Sequence, residues 1–182
     1  MKSTKRTALF SLLVLTFIAS ACRPERLLVA GESLPLTSFT ENSVHVSVSL
    51  VYHLDGTLSL AATFTPPPGY HLYGSGIPRN GIDGLGRPTL VELTADSKMS
   101  ALAPLAESVP TVEEAFASSS LPVYPSGPVT LSLTIALPAG QGWVDDEISL
   151  TFMACSASGC KPPVIGKVVV VRVPGADSIS NP

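Results

Sequence analysis

The sequence predicts an all-β domain built as an antiparallel β-sandwich, and three observations predict it. Several segments alternate apolar and polar residues with a period of two, the pattern of strands buried on one face. Pro and Gly, 17 and 14 of the 182 residues, punctuate those segments at short intervals, as the turns of a small β-domain require. No convincing amphipathic helix interrupts them, so the strands must cover one another.

The first 21 residues stand apart. "MKSTKR" is a cationic start, "TALFSLLVLTFIAS" a short apolar run, and Ala19, Ser20 and Ala21 lead into Cys22. This is an export signal and takes no part in the fold. Small residues ending in cysteine resemble a bacterial lipobox, although Ala19 stands where leucine is more usual. The expectation is a lipoprotein whose Cys22, lipidated, is the new N-terminus and holds the protein on the periplasmic face of the inner or outer membrane of a bacterium. Residues 22–41 mix Pro, Ser, Thr and Gly without a clear period and read as a tether with room for a first edge strand.

The domain proper reads as residues 42–174. "VHVSVSLVY" turns Val44, Val46, Val48 and Leu50 one way and His45, Ser47 and Ser49 the other. After "HLDG", whose Asp55-Gly56 is a hairpin signal, "TLSLAATF" repeats the pattern. The prolines of "TPPPGYHLYGSGIPRNGIDGLGRP" exclude a central strand from most of that stretch, with "YHLY" able to pair briefly before "TLVEL" resumes. From Ala95 to Pro128 the chain reads as long, irregular and acidic around Glu113 and Glu114, and loops of that length usually have a function. "VTLSLTIAL", "EISLTFMA" and "KVVVVRV" complete the set, and residues 175–182 read as a disordered tail.

Composition narrows the function. With the signal removed, Lys2, Lys5 and Arg6 go, which leaves eight basic against fourteen acidic residues, a net charge of −6 in place of −3. An acidic surface does not suit nucleic acid. No Ser/His/Asp set, phosphate loop or paired-carboxylate cleft is discernible, since His45 and His53 read as strand-surface residues. Trp143 reads as a core or rim anchor.

The chemistry lies in "TFMACSASGCKPP", Thr151 to Pro163. Once Cys22 is lipidated, Cys155 and Cys160 remain as a pair in a compartment where disulfides persist. The core face of the preceding strand carries Ile148, Leu150, Phe152 and Ala154, so Cys155 points the other way. Cys160 lies where the chain turns back, which puts the pair across the mouth of a hairpin. From the residues alone two readings stand side by side. Most such pairs are inert clips. Against that, the loop is small and polar, Gly159 permits a tight turn, and Lys161 beside Cys160 favours its thiolate. A third reading notes that Met153, Cys155, Cys160 and His71 are residue types a Cu(I) site uses, but the spacing departs from Cys-x-x-Cys metal loops and no metal or other cofactor is assigned.

The sequence also resembles a known family, the N-terminal periplasmic domain of the thiol:disulfide interchange protein DsbD, or disulfide bond corrector family. The resemblance rests on "GYHLYG" at Gly69–Gly74, "GIDGLGRPTLVEL", "VEEAF" ahead of "LPVYPSGPVTLSLTI", and above all "ISLTFMACSASGCKPPV", together spanning about Val44 to Val173. It implies an immunoglobulin-like sandwich whose cysteine pair relays reducing equivalents between thioredoxin-like or other exported oxidoreductases, with cytochrome c biogenesis among the processes served. By that resemblance Cys160 forms the mixed disulfide and Cys155 resolves it. Phe116, beside Glu113 and Glu114, matches an aromatic cap over the pair, and Tyr70 and Tyr73 would lie beside the sulfurs. Two features depart from the family: the loop holds four residues where the best-known members have five, and those proteins continue into a membrane electron conduit and a thioredoxin-like domain. The expectation is a monomeric, stand-alone component fed by a separate protein, whether or not it is counted an enzyme.

Overall fold

The computed structural model describes residues 28–116 and 119–179, and Cys22 with its signal lies outside them. The first two strands, β1 (Ser33–Glu41) and β2 (Val44–Tyr52), pair along their whole length. The turn between them is Asn42-Ser43, both at positive φ (48° and 68°), the two-residue form whose twist suits adjoining strands. The segment read as a tether therefore contains the edge strand for which the sequence left room, and Leu28 ahead of it is buried in the core. Pro35 sits in β1 beside a register shift, which an edge strand tolerates because it lacks a partner on one side.

β2 shows the predicted alternation: Val44, Val46, Val48 and Leu50 are buried, whereas His45 is exposed. β3 (Leu58–Thr65) follows a turn in which the Asp55 carboxylate accepts bonds from the Thr57 N–H (2.9 Å) and hydroxyl (2.7 Å). Next come β4 (His71–Leu72), β5 (Leu90–Leu93), β6 (Ser100–Ala101) and β7 (Ala106–Glu107). They are followed by the hairpin β8 (Val112–Phe116) and β9 (Ser119–Val123), then β10 (Val129–Ala136) and β11 (Trp143–Phe152). The chain closes with β12 (Ala154–Ser156), β13 (Gly159–Cys160) and β14 (Val164–Pro174).

One sheet runs β1-β2-β3-β10, with β6 and β7 on the far edge of β10; the other runs β14-β11-β5. All of these pairings are antiparallel. Their inner faces share one hydrophobic core, in which Phe64 of the first sheet meets Phe152 of the second at 5.5 Å between ring centres. Burying such a ring stabilises the fold by about 2–3 kcal/mol. The antiparallel β-sandwich predicted from the sequence is the fold observed.

Two regions differ from their reading. The stretch 95–128 is less irregular than its composition suggests, because β6 and β7 pair with β10 and a hairpin follows. Its first turn is pinned by Asp146, which occupies a core-face position on β11. The carboxylate accepts the backbone N–H of Lys98, Met99 and Glu147 and the Ser97 hydroxyl. The tail is not frayed as far as Ile179. A 3-10 turn spans Ala176–Ser178, Gly142 N–H donates to the Ser178 hydroxyl (2.7 Å), and Ile179 packs on the core.

Candidate redox site

Cys155 and Cys160 form a disulfide. They face each other directly across β12 and β13 in a hairpin whose turn is Ala157-Ser158. Lys161 N–H donates to the Ala154 carbonyl at 2.8 Å. That bond flanks the cysteines, so they occupy the non-hydrogen-bonded kind of cross-strand pair, in which opposed side chains stand closest. The Ser156 hydroxyl donates to the Gly159 carbonyl (3.1 Å) and accepts from the Ser158 N–H, which rigidifies the loop. Gly159 has φ +145°, a conformation that favours glycine.

The two sulfurs belong to unlike surroundings. Cys155 is 1% exposed, whereas Cys160 lies on the surface. Cys155 does point away from the main core, as the alternation predicted, but a second apolar cluster covers it: Tyr73, Ile77, Leu121 and Val123, with Ile82 and Met153 at the margin. β4 lies between β12 and the β8–β9 hairpin. Tyr73 bridges to Val123, Gly74 N–H donates to the Pro122 carbonyl (2.9 Å), and Tyr124 N–H to the Leu72 carbonyl (2.8 Å). The hairpin is thereby fixed as one wall of the buried cysteine.

The Gly-rich loop after β4 supplies another wall. A Cβ on Gly86, whose φ is +75°, would stand 3.0 Å from the Tyr73 ring, so glycine there lets the ring lie against the chain. Ile82 and Leu85 bridge to close the loop, and Arg79 pairs with Glu92 of β5 to tie it down. Glu92 raises the Arg79 guanidinium above its ordinary value through that bond and its charge. On the other side, the Asn42 side chain donates to the Pro162 carbonyl (2.9 Å), which fixes the exit from the disulfide to the β1–β2 turn.

The predicted site residues divide as follows. Tyr73 is brought against Cys155. Tyr70 instead packs on the main core, with the Lys161 ammonium 5.3 Å from its ring centre. Glu113 is exposed on β8 and accepts from the Ser120 hydroxyl. Glu114 and Phe116 are placed in β8 by their backbone, and their side chains lie outside what is described. Leu121, Val123 and Ile77 were not anticipated as site residues. The contribution of Leu121 and Val123 depends on how β9 is set against β4, which alternation within either segment does not reveal, and Ile77 lies in the Gly-rich loop, which has no period to read. His71 is also brought in: it pairs in register with Cys155 and is 8% exposed. Among the described residues, no group of three or more His, Cys, Asp or Glu is gathered that could hold a metal ion.

No known family's sequence profile matches the chain, and no curated protein matches it. Among solved structures, the chain is similar to the Neisseria meningitidis DsbD n-terminal domain in the reduced form. The two are 14% identical, the alignment covers 79% of this chain and 85% of that one, and the TM-score is 0.42. At that level of likeness no residue role carries over from it.

Proposed function

We propose that this chain is an extracytoplasmic thiol:disulfide exchange domain, anchored through a lipid on Cys22, that relays reducing equivalents between thioredoxin-like partners through Cys155 and Cys160. The observation that carries the reading is the asymmetry of the pair: one sulfur at the surface, its partner held behind it in an apolar wall. In the reduced protein the Cys160 thiolate attacks a partner's disulfide; a Cys160–partner disulfide forms and the partner's other sulfur leaves as a thiolate. Cys155, deprotonated, then attacks the Cys160 sulfur. The Cys155–Cys160 bond forms, the electron pair of the broken bond leaves on the partner's second sulfur, and the partner is reduced by two electrons. A thioredoxin-like donor returns the pair to its dithiol form by the reverse sequence.

Lys161, next to Cys160, favours the attacking thiolate. Closure of so short a loop contributes about 2 kcal/mol to the fold, so opening the bond leaves the sandwich standing. Burial of Cys155 also suits an inert clip, and exposure of Cys160 is what separates the two readings. The test is transfer from the reduced protein to an oxidised thioredoxin-fold protein, followed by thiol counting. Stoichiometric reduction that Cys160→Ser abolishes supports the relay; no transfer from the wild type overturns it.

A further inference from the structure

We propose that His71 accepts the proton of Cys155 during the resolving step, an inference that rests on the exchange reading above. Cys155 stands between two in-register partners, Cys160 on β13 and His71 on β4. Opposed residues in antiparallel strands project to the same face with Cβ atoms about 4.5–5.5 Å apart. His71, Cys155 and Cys160 therefore form one row across three strands. The two inner members are buried, while the outer one is exposed.

The row addresses a chemical difficulty that burial creates. The attacking species in resolution is the Cys155 thiolate, and an apolar wall disfavours a charged sulfur. A base on the same buried face allows the thiol to lose its proton as it attacks, without solvent having to enter. Among the described residues, the titratable and charged groups on the elements packed about His71 are these. Just after β4, Tyr73 meets it edge-on at 5.5 Å between ring centres. On β12 and β13 stand Cys155 and Cys160, while the ammonium of Lys161 is turned to Tyr70. The β9 residues packed against Cys155, Leu121 and Val123, are apolar, and Glu113 on β8 is exposed beside Ser120.

The thiol proton of Cys155 passes to the imidazole, and the Cys155 sulfur bonds to the Cys160 sulfur. The Cys160–partner bond breaks, and the departing thiolate carries its electron pair away. The imidazolium then returns its proton to that thiolate or to solvent.

The test uses reduced protein and 5,5′-dithiobis(2-nitrobenzoate), which needs no protein partner. The first thionitrobenzoate released reports attack by Cys160, and the second reports closure by Cys155. The wild-type second phase is expected to stay fast well below the pH at which an unassisted thiol ionises. In His71→Gln it should be at least about tenfold slower at pH 6.5, and the deficit should shrink as pH rises and the thiol comes to ionise without a base. The first phase should be unchanged. An unchanged second phase, or one slowed equally at every pH, overturns the proposal. If His71→Gln does not fold, the imidazole of the wild type is titrated by NMR in both redox states: different titrations support the proposal and identical ones overturn it. Failure of the relay would appear as no electron transfer to a thioredoxin-fold protein, with the two-phase reaction intact.

Discussion

The Lys161 ammonium lies 5.3 Å from the centre of the Tyr70 ring, which places a held cation on the residue that follows Cys160. A cation so placed favours a neighbouring thiolate, and the aromatic face limits where it can swing. In the reduced protein, Lys161→Met should slow alkylation of Cys160 by iodoacetamide at pH 7 about threefold. Tyr70→Leu, which keeps the charge but loosens it, should slow it less. Equal rates for Lys161→Met and wild type would show that the cation does not act on the sulfur.

Leu121 is fully buried against Cys155, so its truncation opens a cavity beside the sulfur. Leu121→Ala should cost about 2–4 kcal/mol in denaturant unfolding. In the reduced protein it should also speed alkylation of Cys155 relative to Cys160. A variant that loses stability while Cys155 stays as protected as before would contradict the role given to the β8–β9 hairpin.

Asp146 accepts three backbone N–H groups besides the Ser97 hydroxyl. Asp146→Ala leaves those donors without their acceptor in a largely buried place, and should cost about 3 kcal/mol. Hydrogen exchange should locate the loss in the amides of residues 98 and 99. Protection there equal to wild type would count against the account.

Tyr124 is buried, and its oxygen accepts the Ser75 N–H at 3.1 Å. Burial, first, and the neighbouring Glu107 push its phenol far above the ordinary value. The native state therefore holds this proton where the unfolded chain releases it. The contribution is therefore complete below about pH 10, the unfolded value, and declines as pH rises from there toward the higher native one. Urea midpoints followed from pH 8 upward should fall above that point, and Tyr124→Phe should fall less steeply. Parallel declines would contradict the assignment.

Legibility followed the range of the interactions. The β2–β3 hairpin was readable because alternation at Val44–Leu50 and the Asp55-Gly56 turn are local signals, as was the orientation of Cys155 away from the core. Asp146 was not, since it sits where alternation calls for an apolar residue and three of its four donors lie 47 to 49 positions away. The pairing of β6 and β7 with β10 was hidden for a related reason: strands of two residues are too short to show a period. At the site, the cysteines, Tyr73 and Lys161 lay in or beside recognisable motifs. Leu121, Val123 and the in-register position of His71 emerge only when β4 is set between β9 and β12, a long-range arrangement.

The most direct measurement is capture of the exchange intermediate. Reduced Cys155→Ser, mixed with an oxidised thioredoxin-fold protein, should accumulate a covalent complex. Peptide mass spectrometry should place its linkage at Cys160, and Cys160→Ser should yield no such complex. A linkage through Cys155 in Cys160→Ser, or no complex from either variant, would contradict the account.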